Sequence, residues 1–276
     1  MNNVVVRSIS GVVFILAMLA CLMFNKFLFA GLIIFIMSVM LLEFYHITMG
    51  NSYTFSKVLA IIAAIFLFGL LFATASYHIP IRFVAFAMVP IFIVMINSLY
   101  VKDKDEYGKF SNIYIGLLYI AVPIALSNLI AFDKAGNFSG NLLLCFFIII
   151  WCSDVGAFAF GISLGKIFPQ KLFPSVSPKK TWIGFIGGLV SSVLAAFALY
   201  EFGILKFPLI HCLILSFIMS VTGVYGDLFE SQWKRVYGVK DSGKIIPGHG
   251  GFLDRFDSTL MAMPFGAIYL AIFDLL

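Results

Sequence analysis

The chain has 276 residues, of which 62% are hydrophobic and only 11% charged, with a mean hydropathy of +1.07. A water-soluble domain carries roughly 45–50% apolar and about 25% charged residues, so a globular cytosolic enzyme, a disordered chain and a secreted disulfide scaffold are all excluded. The net charge of +5 fits basic anchors on the cytoplasmic side of membrane helices, and no nucleic-acid partner is expected.

A helix needs ~20 apolar residues to cross the hydrocarbon core. In chain order such runs lie at 8–25, 28–48, 58–77, 80–99, 112–131, 141–163, 182–200, 207–226 and 257–275. The prediction is an all-α, polytopic membrane helix bundle of about nine transmembrane helices. The runs are continuous rather than alternating, which excludes a β-barrel. Arg7 before the first run gives a weak likeness to a signal peptide. No small-residue cleavage site follows, so the run is read as an uncleaved first helix. The third and fourth runs meet near His78 and Pro80. Cys21, Cys145, Cys152 and Cys212 sit in apolar runs without CxxC spacing and read as small buried hydrophobes.

With nine spans, 14 of the 18 Lys and Arg fall on the side of the N-terminus and the even-numbered loops. Lys26, Arg82, Lys134 and Lys206 fall on the other. The positive-inside rule then predicts an N-terminus in the cytoplasm and a C-terminus outside. Residues 1–110 are expected to form an N-terminal module of about four spans. Residues 111–276 would form a catalytic module with charged cytoplasmic loops at 164–181 and 227–256.

Segment 227–257 holds 10 of the chain's 31 charged residues in 31 positions. A plain tether would explain the charge but not its form. Both signs mix with glycines, a proline and a histidine in Lys240-Asp241-Ser242-Gly243 and Pro247-Gly248-His249-Gly250-Gly251, and the segment begins and ends on membrane helices. This pattern reads as a site for a phosphorylated ligand with a metal. Carboxylates hold Mg²⁺, which often bridges substrate phosphates. Lys and Arg neutralise phosphate oxygens. Glycines let backbone N–H groups approach an anion. Asp254 and Asp257 are three apart and share a helix face.

A second patch, Ser175-Val176-Ser177-Pro178-Lys179-Lys180-Thr181-Trp182, supplies hydroxyls and cations at the mouth of a helix. Gly184, Gly187 and Gly188 then allow close helix packing. Asp154 lies within the sixth span, where a carboxylate at membrane depth is costly and suggests function; an active-site role is favoured over a structural hydrogen-bonded acid or a proton relay. Glu43 and His46, one turn apart, read as an interfacial pair rather than metal ligands, and His211 as a satisfied helix histidine. No Walker A motif, dinucleotide fingerprint, HExxH or internal repeat is present.

The run from Ser231 to Ser258, with Lys234-Arg235, Lys240-Asp241, Pro247-Gly248-His249-Gly250-Gly251 and Asp254-Arg255-Phe256-Asp257, resembles the signature of the phosphatidate cytidylyltransferase (CDP-diacylglycerol synthase) family. Gly226-Asp227 through Ser231, Ser153-Asp154, Gly161, Gly165-Lys166 and Ser177-Pro178-Lys179-Lys180-Thr181-Trp182 are similar to that family too. The resemblance covers about 141–260; Trp233 stands where a smaller apolar residue is usual.

The resemblance implies an enzyme at the cytoplasmic face of the membrane, the plasma membrane if the source is bacterial. CTP and phosphatidic acid would give CDP-diacylglycerol and pyrophosphate with Mg²⁺. It implies Asp154, Asp227, Lys234, Arg235, Asp254 and Arg255 as catalytic residues. Asp227 and Asp254 would be the leading metal ligands, supported by Asp257 and Asp241. Ser177, Lys179, Lys180, Ser231, Lys240, His249, Gly250 and Gly251 would bind substrate. A second cation and a homodimer are left open. A CTP-dependent lipid-alcohol kinase of the dolichol or phytol kind is the nearer alternative, since its sequences resemble this family. A secondary transporter is the further one, although it predicts midplane charges in inverted repeats. A CDP-alcohol phosphotransferase is disfavoured, because its Asp-Gly…Ala-Arg run is absent.

Overall fold

The structure, a computed structural model, describes residues 3–100, 107–248 and 250–276, with side chains from Ser10 onward. Lys102, Lys104, His249 and the side chain of Arg7 lie outside the described residues. The chain divides into two compact units, residues 1–139 with 241–255, and residues 140–240 with 256–276.

The first unit begins with α1 (Asn3–Phe24) and α2 (Lys26–Met49). Asn25 separates them and caps α2, its side chain accepting from the Phe27 N–H at 2.7 Å. Ile33, Ile36, Met37, Met40, Leu41 and Phe44 are buried along α2 at the i, i+3, i+4 spacing of one helix face. Gly50, at φ +58°, stops the helix, its N–H closing on the His46 carbonyl. Next come α3 (Thr54–Tyr77) and, after Pro80, a 3₁₀ segment Ile81–Ala87 that runs into α4 (Met88–Ser98).

The next rod consists of α5 (Tyr107–Gly116), a π turn Leu117–Ala121 and α6 (Val122–Ala131). Pro123 lacks the N–H that a regular helix would use here, which accounts for the locally widened turn. Tyr45 of α2 lies against Gly116 and donates its hydroxyl to the Ile113 carbonyl at 3.0 Å. Beyond α6 a short turn is held by Asp133, which accepts from the Asn137 and Ala135 N–H groups at 2.8 and 2.9 Å. These donors, that of Asn137 first, keep the Asp133 carboxyl below the usual carboxylate range.

The second unit contains α7 (Asn141–Ser163), α8 (Trp182–Glu201), α9 (Leu209–Val236) and all but the first turn of α10 (Leu253–Ile272). Between α7 and α8 lies an antiparallel hairpin of β1 (Lys171–Phe173) and β2 (Ser177–Thr181), too short to be read from a pattern of alternation. Thr181 ends β2 and caps α8, accepting from the Gly184 N–H at 3.2 Å. Glycines bring α7 and α8 together. A Cβ at Gly188 would fall 2.8 Å from the Ser153 carbonyl, and one at Gly184 2.9 Å from that of Ala157. Such contacts between small residues hold helices together where there is no water to drive them.

Each of the nine predicted runs is helical. Seven helical runs among the described residues are long and apolar enough to span a membrane: Lys26–Met49, Thr54–Tyr77, Ile81–Ser98, Tyr107–Ala131, Asn141–Ser163, Trp182–Glu201 and Leu209–Val236. The protein is an integral membrane protein with an all-α fold. Two expectations are corrected. Residues 227–236, expected as the start of a loop, continue α9 to Val236. The Glu230–Lys234 pair, one turn apart at 2.5 Å, supports that extension. Glu43 is also not paired with His46. It is buried, and its partners lie about two hundred residues away in sequence.

Candidate active site

In the second unit the charged groups collect on the last third of α9. Asp227 is half-buried. Its Oδ2 pairs with Lys180 Nζ of β2 at 2.6 Å, and its Oδ1 accepts from the Ser231 hydroxyl at 3.2 Å. One turn on, Glu230 is 2% exposed and paired with Lys234. Asp257 of α10 feels the charges of Asp227, Glu230 and Asp154. The two helices can come this close because residue 226 is glycine: a Cβ there would sit 2.5 Å from the Asp257 carbonyl. Beside Asp154, the Ser153 hydroxyl meets that of Ser220 at 2.8 Å, joining α7 to α9.

Asp154, Asp227, Glu230 and Asp257 thus form a set richer in carboxylates than in the lysines, Lys180 and Lys234, that pair within it. Hard oxygen donors that repel one another provide the chemistry of a divalent-cation site. Among the described residues no group of three or more His, Cys, Asp or Glu is arranged to enclose an ion by itself. Mg²⁺ needs only one or two carboxylates when phosphates and water complete its shell, so the residues present fit a cation that arrives with substrate. Ser177 is half-buried on β2, while Lys179, Arg235 and Lys240 are exposed.

In the first unit, the segment from Asp241 to Arg255 folds around Asp254. One oxygen, Asp254 Oδ2, accepts from the Ser242 N–H at 2.8 Å, the Ser242 hydroxyl at 2.9 Å and the Gly251 N–H at 2.9 Å. Gly250, at φ +86°, bridges back to Ile246, and a Cβ on it would lie 2.6 Å from the same oxygen. Asp241, Lys244 and Arg255 are exposed. Glu43 accepts from Ser242 Oγ, Phe252 N and Leu253 N.

The structure therefore gathers Asp154, Lys180, Asp227, Ser231, Lys234 and Asp257 in one unit, and Asp254, Gly250 and Gly251 around Ser242 in the other. Glu230 is additional to the residues given a site role from sequence, and Glu43 reads there only as an interfacial residue. Glu230 lies in the signature run. Glu43 carried the same signal as Asp154, an acid in an apolar helix.

Residues 5–273 match the cytidylyltransferase family. A phosphatidate cytidylyltransferase of Bacillus subtilis is 41% identical over 182 residues, 65% of this chain and 63% of the relative. One of Staphylococcus saprophyticus is 45% identical over 124 residues, 45% of this chain and 46% of the relative. One of Staphylococcus epidermidis is 35% identical over 173 residues, 63% of this chain and 64% of the relative. The matched stretches thus cover less than two thirds of each relative's own length. With the match running nearly from end to end, and the signature acids and lysines gathered on apolar helices, the chain belongs to the cytidylyltransferase family.

Proposed function

We propose that the protein is a phosphatidate cytidylyltransferase, transferring CMP from CTP to phosphatidic acid to give CDP-diacylglycerol and pyrophosphate. One observation carries the reading: Lys180 of β2 is seated on Asp227 of α9, whose charge acts on Asp257 of α10, in a chain of apolar helices that matches a cytidylyltransferase family along its length. A lipid phosphate arrives within the bilayer and a nucleotide arrives from water, so acids and lysines at a helix end suit both.

In the reaction a phosphate oxygen of the lipid attacks the α-phosphorus of CTP. The bond from that phosphorus to the bridging β-phosphate oxygen breaks in line, and pyrophosphate leaves with the electron pair. The protein contributes mainly position and charge. Lys180 and Lys234, now neutralising carboxylates, would turn toward phosphate oxygens, while Lys179, Arg235, Lys240 and Arg255 supply further cations at the exposed side. Ser177 and Ser231 would donate hydrogen bonds to the nucleotide and lipid phosphates. Asp227 and Asp257 would hold Mg²⁺ in the second unit; Asp254 and Asp241 of the first unit keep the ligand roles that the family resemblance implies. When bound, the ion would offset phosphate charge in the transition state. The site faces the cytoplasm, with the N-terminus on the same side.

Purified protein given CTP labelled at the α or the γ position, with phosphatidic acid or, in a parallel reaction, a long-chain polyprenol, tests the reading. Label from the α position should appear in the lipid product, and label from the γ position in pyrophosphate. A γ-labelled lipid would instead make the protein a lipid kinase, and no labelled lipid from either would overturn both.

A further inference from the structure

The Glu43 carboxylate is 6% exposed, in an apolar helix, and far in sequence from the signature run. A charge so placed is retained only where hydrogen bonds replace its water. Here they come from one segment. Oε1 accepts from the Phe252 N–H at 3.1 Å, and Oε2 from the Leu253 N–H at 2.9 Å and the Ser242 hydroxyl at 3.2 Å. Leu253 is the first residue of α10, so Glu43 takes up N–H groups that a helix start leaves unpaired, at the end where a negative charge is favoured.

The chain of contacts continues. The Ser242 hydroxyl is 2.9 Å from Asp254 Oδ2 and accepts from the Asp254 N–H at 3.3 Å. A hydroxyl carries one proton, so Ser242 serves one of the two carboxylates at a time. The glycines of the run leave space for Glu43. A Cβ at Gly251 would lie 2.5 Å from both of its carboxylate oxygens, and one at Gly243 would collide with Oε1. Two glycines that read, in sequence, as approach points for a phosphate are also the walls of a slot for this side chain.

We propose that Glu43 is a positioning residue: from α2 it clasps the Asp241–Arg255 segment through Ser242, Phe252 and Leu253, and so sets the orientation of Asp254 for the transfer reaction. The clasp rests on geometry within the first unit. Its consequence for turnover rests on the cytidylyltransferase reading above.

The test uses the full-length protein, purified and reconstituted with phosphatidic acid, as wild type, Glu43→Ala and Glu43→Gln. Two quantities are followed: steady-state kinetics against CTP, and the rate of limited tryptic cleavage at Lys240 and Lys244, both exposed. Glu43→Ala should speed cleavage there by roughly tenfold or more and lower kcat by a similar factor, from the loss of two backbone hydrogen bonds to a charged group and of the one shared with Asp254 through Ser242. Glu43→Gln keeps the volume and one acceptor, so it should lie between alanine and wild type in both. If the alanine variant does not fold, the glutamine variant decides alone. Unchanged cleavage in a folded variant overturns the clasp. Faster cleavage with unchanged kcat overturns the positioning role. Should wild type form no CDP-diacylglycerol, the functional reading fails by itself, and the cleavage rates still decide the clasp.

Discussion

Lys180 Nζ rests 2.6 Å from Asp227 Oδ2, tying the hairpin before α8 to the charged end of α9. Both side chains are somewhat over a quarter exposed, so the pair contributes little to stability, on the order of 0–1 kcal/mol. Lys180→Ala should therefore unfold within about 1 kcal/mol of wild type yet lose at least about tenfold in kcat/KM for CTP, as one charge-assisted phosphate contact would. Thermal unfolding and CTP kinetics on the same preparation check this. A large stability loss with normal turnover would make the pair purely structural.

Removing a metal ligand and removing a phosphate contact should leave different traces. Asp227→Ala and Asp254→Ala are expected to lose turnover even at saturating CTP, and Lys240→Ala to regain part of it as CTP is raised. Asp254 also accepts three hydrogen bonds on one oxygen, so Asp254→Asn, which keeps an acceptor, separates loop support from metal binding. Titrations of each variant against Mg²⁺ and CTP decide. An unchanged metal requirement with near-normal turnover in both aspartate variants would remove the metal assignment and leave the family intact.

Asp154 is exposed on α7 and within reach of the Asp257 charge. Asp154→Asn relieves like-charge repulsion and should not harm folding. It is expected to keep wild-type yield and unfolding temperature while losing most activity. Near-normal turnover would return Asp154 to a structural role.

Gly226 and Gly108 should respond in opposite ways to alanine. At Gly226 the added methyl meets the Asp257 carbonyl backbone at 2.5 Å, which forces α9 and α10 apart at about 1–3 kcal/mol. At Gly108, in α5, nothing lies within 4 Å, so alanine gains up to ~1 kcal/mol of helix propensity. Unfolding midpoints of Gly226→Ala and Gly108→Ala in one detergent compare the two directly.

Single cysteines at Asn137 and Lys244, introduced into a chain without its native cysteines, should react with an impermeant maleimide from opposite sides of the membrane. Labelling of both from one side would overturn the nine-span topology behind the basic asymmetry.

Hydropathy located the helices because a lipid-exposed rod must be apolar for about the length of the bilayer. Which face of a helix is buried was not legible from hydropathy, because exposed Phe35 and Leu42 on α2 are as apolar as buried Ile33 and Met40. The far end of α9 was not legible in this way. Hydropathy falls at Asp227, but a helix ends where its hydrogen bonding ends, nine residues later at Val236. The hairpin was missed because strands of three and five residues give no alternation to count. Asp227 and Asp257 were visible as acids in a signature run. The role of Glu43 was not, because its donors lie 199 to 210 residues away and two are backbone N–H groups common to every residue.

The continuity of α9 turns the order of its charges into an order of depths. Each residue advances about 1.5 Å along the axis, so Ser231 stands about 6 Å and Lys234 about 10 Å beyond Asp227, on one continuous helix. On the proposed reaction, the apolar stretch before Gly226 would lie in hydrocarbon, Asp227 at the level where a phospholipid carries its phosphate, and Lys234 and Arg235 farther out, where a nucleotide approaches. A water-soluble phosphate monoester has the same head-group charge as phosphatidic acid but no acyl chains to hold it at that level. On the proposed reaction, selection for a lipid acceptor is thus set by where along α9 the first carboxylate sits, before any side chain has touched the glycerol.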